Sequence, residues 1–349
     1  MSLNEKIGKI LGIEEEKISP FFADLSDVKK ENAVPRGRVI NVFVTIQAEG
    51  ELIIRHEGGE DITLATVGDK KYPIILHEKL TSSMRRKMLE LLRRDYSANK
   101  EEINKIRGKN DDWDCSLRPF SSTKKEEERM GGLCGECPNC MEFGFAVKEE
   151  GSFNLKSRIE GDLHIATEPE QKSVVVRTFN AVDEVTKTTF IQGEGERTGA
   201  LFRLSLVREG TIFVGKVVMK DVSPAEFLLS LYSLASTSRV GAVTSDFGKI
   251  SVHIPAIIFS SYEVSSGYDL HRRAGIEGLN NLDEINRKIN SYLDGFKKNH
   301  VLITSDDIAK KVLDELTVNG TISHDVVKEA WMNGVNFRKG IKLFIREKK

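Results

Sequence analysis

From Arg38 to Ala48 the chain alternates, with Ile40, Val42, Val44, Ile46 and Ala48 on one face and Asn41, Thr45 and Gln47 on the other. A period of two predicts a half-buried β-strand. Glu49-Gly50 ends it, and Glu51 to Thr66 reads as a hairpin turning at Gly58-Gly59. The period then changes. From Thr81 to Arg94, Met84, Met88, Leu91 and Leu92 recur at helical spacing, so a helix capped by Thr81 or Ser82 is predicted. Helical spacing also marks Leu3 to Leu11, Leu282 to Phe296 and Asp306 to Leu316, and Val326 to Trp331 opens a further helix. Pro224 to Ser236 is predicted as an amphipathic helix with Pro224 in its first turn and Phe227, Leu228, Leu231 and Leu234 on its apolar face. Strands are expected at Val174 to Val176, Phe202 to Val207 and Ile212 to Met219, with a turn at Glu209-Gly210.

The stretches that break these periods carry the chemistry. Ser97 to Met130 is polar and charged and reads as an insertion. It ends on Cys134, Cys137 and Cys140 at C-x2-C-x2-C spacing, with Cys115 upstream, and these are all four cysteines of the chain. Four thiols from a turn and one flanking loop match a closed tetrahedral zinc site, in which no position is left for a catalytic water. An iron–sulfur cluster is the competing reading, although Gly144 stands where the bacterial pattern places its next cysteine, and free or redox thiols are a third. Trp113, Phe120, Leu133 and the Met141-x-Phe143 pair are placed to cover such a site.

On the 81–94 helix, Arg85, Arg86, Lys87, Arg93 and Arg94 face only Glu90. This is either a solvated helix face or a cradle of hydroxyls and cations for phosphate. The Gly/Ser/Thr loop from Ser236 to Val252 has Arg239 and Lys249 near its ends; it is either a helix-to-strand turn or a second phosphate-binding loop through amides and hydroxyls. Thr178 to Gly199 mixes Val182, Val185, Phe190 and Ile191 with polar residues and Gly193-Glu194-Gly195, the pattern of a projecting hairpin open to a partner.

Composition narrows the class. The chain has 349 residues, 39% of them hydrophobic and 30% charged, with a formal net charge of −1. It is long enough to bury a core, and it is neither a disordered polymer nor a polycation. Nucleic acid would therefore need a local basic groove. No apolar run suits a bilayer span and the first residues lack a secretory core, so a cytoplasmic protein with no membrane partner is expected. No nucleophile and base constellation is visible, which favours binding over catalysis.

Taken in order, the first strand, Ser82-Ser83-Met84-Arg85-Arg86-Lys87, the Cys137-x2-Cys140-x2-Phe143-Gly144 stretch, and a helix–loop–strand ending Gly241-x6-Gly248-Lys249 resemble the RAMP superfamily of CRISPR proteins. Gly199-Ala200-Leu201-Phe202 and Glu209-Gly210-Thr211-Ile212-Phe213 add to the likeness. Within that superfamily the chain is most similar, over about residues 38–255, to the Cas-seven group backbone subunit of a type I-D effector, the Csc-two kind. Where the family helix often reads Gly-Ser-Ser-Leu-Lys-Gly, this chain has Thr81 and Arg86 in place of the glycines.

The resemblance implies an α+β fold with a ferredoxin-like (RRM-like) antiparallel core over 38–95 and 141–258. It implies insertions in that core and a thumb hairpin at 178–199; the cysteine spacing makes 96–140 a zinc-binding insertion, and helical spacing makes 1–37 and 259–349 mostly helical terminal extensions. Single-stranded CRISPR RNA, target nucleic acid paired to that guide, further copies of the chain in a filament and other effector subunits would be its partners. RNA contacts would come from Ser82, Ser83, Arg85, Arg86, Lys87, Lys187, Arg197, Arg239, Thr244, Ser245 and Lys249, while the spacing of Cys115, Cys134, Cys137 and Cys140 makes them the ligands of a structural Zn2+. The alternative is a type III-like subunit that also cleaves target with a divalent metal. Asp61 is then the candidate acid, and a plain turn residue after Gly58-Gly59 is its simpler reading.

Overall fold

The computed structural model describes residues 2–55, 62–117, 132–146, 154–180 and 201–346. In chain order the strands begin with β1 (Val39–Ala48), β2 (Leu64–Val67), β3 (Lys70–Ile75), β4 (Ile159–Gly161) and β5 (His164–Ala166). Next, β6 (Val174–Asn180) and β7 (Leu201–Val207) form a separate two-stranded ribbon. Then β8 (Ile212–Lys220), β9 (Ile250–Ser260) and β10 (Val301–Thr304) complete an eight-stranded antiparallel sheet ordered β10-β9-β1-β8-β5-β3-β2, with β4 also on β8. A small hairpin, β11 (Thr317–Val318) with β12 (Thr321–Ile322), lies near the C-terminus.

The helices are α1 (Leu3–Leu11), α2 (Glu15–Ile18), α3 (His77–Ala98), α4 (Lys100–Arg107), α5 (Pro138–Phe143) and α6 (Glu170–Ser173). They continue with α7 (Pro224–Ala235), α8 (Gly267–Arg273), α9 (Leu282–Leu293), α10 (Ile308–Leu316) and α11 (His324–Arg346). Among the described residues no helix is long and apolar enough to cross a membrane.

The expectation of a half-buried β1 is corrected. Ile40, Val42, Val44 and Ile46 join a core with Met84, Met88, Leu231 and Trp331 from α3, α7 and α11. On the opposite face Phe43 packs with Ile258, Ile285, Ile289 and Leu293, under α8 and α9. Of the polar residues that read as solvent-facing, Asn41 and Thr45 are buried and hydrogen-bonded instead, and Gln47 is half-buried. Asn41 donates to Ser260 Oγ (3.0 Å) and accepts from Val264 N–H (3.0 Å), and Thr45 donates to Asn286 Oδ1 (3.0 Å). Satisfied in this way, a buried amide or hydroxyl escapes most of its desolvation penalty.

α7 also departs from its pattern. Ser223 caps it in a reciprocal box with Glu226, but Glu226, Leu229, Ser230 and Ser233 are buried along with the predicted apolar face. The sheet covers one side, while α3, α10 and α11 cover the others. Arg158 meets the buried Glu226 charge, with Nη1 donating to Oε2 at 3.0 Å, and lies 4.2 Å from the centre of the Phe337 ring.

β9 runs through Pro255, where the pattern suggested a turn toward helices. The pairing with β1 shifts register between Phe43 and Thr45, so Pro255 sits at a bulge, where a missing N–H is tolerated. The segment after 258 returns to the body. β10 pairs with β9, α10 packs on α7, and Trp331 of α11 is fully buried. The apex of the 51–66 hairpin, including Gly58-Gly59, lies outside the described residues. Its flanks approach through the Arg55–Ile62 bridge, and β2 and β3 form a further hairpin that the sequence reading did not anticipate.

Candidate functional site

The four cysteines converge. Cys137 precedes α5, Pro138 occupies the helix's first turn, and Cys140 therefore projects one turn later on the same short helix. Cys115 and Cys134 approach from the chain on either side of residues 118–131. The sulfurs lie within 4.8 Å of one another, with Cys115–Cys140 and Cys115–Cys137 at 3.7 Å and Cys134–Cys140 at 3.9 Å. Zn–S bonds of ~2.3 Å in a tetrahedron place sulfurs about 3.8 Å apart, so the donor set fits that ion. Trp113 Nε1 (3.4 Å) and Cys137 N–H (3.4 Å) both donate to Cys134 Sγ. Burial pushes the Cys137 thiol well up, reinforced by the other sulfurs.

A second layer surrounds the thiols that spacing could not reveal. Glu136 is buried and accepts from Arg107 Nη2 (2.8 Å), Lys109 Nζ (2.6 Å) and Arg338 Nη1 (3.1 Å). Trp113 packs edge-on against Trp331, with ring centres 5.1 Å apart. The centre is thus fastened to α4 and α11. Glu136 stands between two cysteines, which is a visible signal; Arg338, two hundred residues away, left none. Phe120 lies outside the described residues.

The predicted cap on the basic helix is corrected: α3 begins at His77, and Thr81 and Ser82 are interior. Leu80, buried one turn before Met84, extends the apolar stripe backwards, and Thr81 Oγ1 donates to His77 O (2.9 Å). No helix N-terminus is therefore available at Ser82-Ser83 for a phosphate. The basic residues divide. Arg85 donates to Asn139 Oδ1 (3.0 Å) and Gly144 O (2.7 Å), Arg93 to Cys115 O, and Arg94 to Gly320 O (3.3 Å). These guanidiniums brace the protein's own loops. Arg86, exposed, turns to Ser82 Oγ (2.9 Å), and Lys87 to Glu90 (3.3 Å), both within α3; Ser82 and Ser83 are half-buried.

The 239–249 loop stands where β1 ends and β9 begins. Its backbone donors are largely committed: Val240 N–H to Gly248 O, Ala242 N–H to Ile53 O and Gly248 N–H to Glu51 O, each at 2.9 Å. Amide cradling of phosphate, as the sequence suggested, is closed off at those positions. Arg239, Thr244, Ser245 and Lys249 nevertheless present exposed side chains, and Arg239 Nη1 donates to Phe247 O (2.8 Å), which braces the loop. The β6–β7 ribbon is tied to the same stretch through the Leu52–Val207 bridge and a 2.6 Å Glu51–Arg177 ion pair. Loop and ribbon thus meet along residues 51–53. Lys187, Arg197 and Asp61 lie outside the described residues.

Fold and site define a class: an α+β protein with an open antiparallel sheet, a buried four-thiol centre, and a loop and ribbon side by side at one sheet end. The family model described as Csc2 Crispr matches residues 22–349, and the chain belongs to this CRISPR family. The match extends past 38–255 and takes in the whole C-terminal segment and the N-terminal segment from residue 22 onward. The chain shares its fold with Thermofilum pendens Csc2, with a TM-score of 0.68 and 22% identity over 98% of each chain. A chain of a CRISPR RNA-guided surveillance complex, pre-nicking, matches with a TM-score of 0.47 and 10% identity, over 75% of this chain and 90% of that one. No curated protein matches.

Proposed function

We propose that this protein is the repeated, non-catalytic backbone subunit of a type I-D CRISPR interference complex. It holds single-stranded CRISPR RNA without sequence specificity for pairing with target nucleic acid, alongside further copies of itself and other effector subunits. Beyond family membership, the observation that carries this reading is the exposed set Arg239, Thr244, Ser245 and Lys249 beside the β6–β7 ribbon. Phosphate contacts of that kind position a strand without reading its sequence, and leave the bases to pair. Ser82, Ser83, Arg86 and Lys87 form a second contact surface on α3, and Lys187 and Arg197, outside the described residues, add contacts from the 178–199 segment that this reading takes as the thumb.

The core over 38–95 and 141–258 is, in this reading, ferredoxin-like. The chain order β1, α3, β5, β8, α7, β9 and the neighbour order β9-β1-β8-β5 support it. The four cysteines hold structural Zn2+. The cations on Glu136 support this, because they offset the negative charge that a tetrathiolate zinc centre carries. Residues 96–140 form the insertion so fastened.

Fluorescence anisotropy with labelled single-stranded RNAs of different sequence across a salt series tests the reading. Arg239→Ala with Lys249→Ala should weaken every RNA by a similar factor and reduce the salt slope by about one to two ions. Arg86→Ala should act in the same direction. Arg85→Ala should instead lower the melting temperature, since its guanidinium is spent on Asn139 and Gly144. Lys342→Ala on α11 should change affinity little. If only the Lys342 variant loses binding, the interface has been placed on the wrong surface.

The protein alone should leave single-stranded RNA and DNA intact with Mg2+ or Mn2+. Cleavage that Asp61→Ala abolishes while RNA binding persists would replace the scaffold with the metal-dependent nuclease reading.

A further inference from the structure

Among the described residues, four non-glycine positions have positive φ: Asp221, Val243, Ser265 and Asn319. Aspartate and asparagine visit the left-handed region with little penalty, but a β-branched valine there is an outlier whose side chain crowds its own backbone. Val243 has φ +50° and is 53% exposed, so burial of its side chain does not offset the strain. Its carbonyl accepts from Asp246 N–H (3.1 Å) and Phe247 N–H (3.0 Å), which makes it the hinge of the tight turn at the tip of the 239–249 loop. Elsewhere in the loop, glycine serves where the backbone is closely approached. A Cβ on Gly241 would lie 2.4 Å from Ile53 O, and one on Gly248 2.4 Å from Val240 O. At the tip, open to solvent, the loop carries a branched apolar side chain in a conformation that glycine or asparagine would hold more easily.

Strain of this kind, where packing gains nothing from it, points to a role outside the fold. Thr244 and Ser245 set exposed hydroxyls beside Val243 at the tip, and the exposed cations Arg239 and Lys249 pair across the base of the loop, with Arg239 reaching up to Phe247 O. An apolar tip above a cationic base matches a ligand that alternates charged and apolar surfaces, as single-stranded nucleic acid does with its phosphates and base faces. Resting on the function proposed above, we infer that Val243 is a base-contacting residue: it packs against a nucleobase of the bound single strand while Arg239 and Lys249 hold the adjoining phosphates. The contact is apolar, so it adds affinity without selecting sequence.

Val243→Asn removes the apolar knob and suits the backbone, and Val243→Gly is the second variant. Both should melt at the wild-type temperature or higher. Each should bind a fluorescein-labelled uridine oligomer about fivefold more weakly, with an unchanged salt slope because no charge is lost. On an abasic oligomer of the same length, wild type and variants should bind alike. If both variants bind the uridine oligomer within twofold of wild type while Arg239→Ala with Lys249→Ala weakens it, the RNA-binding reading stands and the role of Val243 is refuted. Equal weakening on the abasic oligomer, or loss of folding in both variants, refutes it as well. If the wild-type protein shows no salt-dependent RNA binding, the underlying reading fails first and takes this one with it.

Discussion

Replacing Cys137 by Ser, or stripping metal with a chelator, is expected to lower the melting temperature by roughly 10 °C and to free α11 from the body of the protein. Cys115, Cys137 and Cys140 belong to the same apolar core as α3, α7 and α11. Trp113, beside Cys115 in sequence, packs against Trp331, and Glu136 binds Arg338. The centre is therefore a fastening for the C-terminal helix as well as for the insertion. Zinc-finger peptides gain about 10–16 kcal/mol from their metal, against a total of about 5–15 kcal/mol for a folded domain. Losing even about 5 kcal/mol of such a contribution, at roughly 2 °C per kcal/mol, gives the stated shift. Amide exchange should rise first in α11 and α5, not in β1 and β8. Metal analysis of protein purified without added metal should find about one zinc per chain. A brown iron–sulfur absorbance would replace zinc by a cluster. Zinc-free protein with an unchanged melting temperature would show that packing alone holds the centre together.

Acidification should weaken the fold well above the pH at which carboxylates titrate. His164 on β5 is fully buried, and among the described residues neither its ring nitrogens nor those of His77, at the start of α3, make a well-formed hydrogen bond. Both rings lie against glycines of the sheet: a Cβ on Gly215 would lie 2.7 Å from the His164 ring, and one on Gly161 2.5 Å from His77 Nδ1. Burial is the main cause that lowers His164 to about 3 and His77 to about 4, and for His164 the neighbouring His77 adds to it. The unfolded chain takes up these protons near pH 6.5 and the folded chain resists them. Stability is accordingly complete above 6.5 and is lost as pH falls from there toward 4 and below. Each histidine contributes a slope of up to about 1.4 kcal/mol per pH unit inside that window, several kcal/mol together at its foot. Urea midpoints at pH 7.0, 6.0, 5.0 and 4.5 for wild type and His164→Leu measure it. The variant should lose stability less steeply, and parallel profiles would mean that His164 does not stay neutral in the folded state.

How much of this was legible beforehand differs from residue to residue. The helix at Leu3–Leu11 was bounded from its period, and its ends are held by local caps, Ser2 and Gly12. Three of the four clustered thiols were legible because residues that share a turn must be close in sequence, and Cys115 because it is the one other cysteine of the chain. The role of Arg85 was not. Its charge and spacing match those of Arg86, and only the position of α5 decides that one guanidinium braces Asn139 and Gly144 while the other faces solvent. Asn41 and Thr45 misled for a related reason. Alternation records which residues are apolar, whereas burial of the polar face depends on α9 and on the 260–264 segment arriving more than 200 residues later.

The sequence by itself determined the main strands, most helix positions and the clustering of the four cysteines, since each follows mainly from interactions among near neighbours: period, caps and turn residues. Only the tertiary structure decided that β1 and α7 are enclosed on all sides, that Arg338 and Trp331 secure the thiol centre, and that the ribbon and the 239–249 loop meet at Glu51. Those contacts join residues far apart along the chain. Their energy comes from excluding water between surfaces that no local pattern brings together.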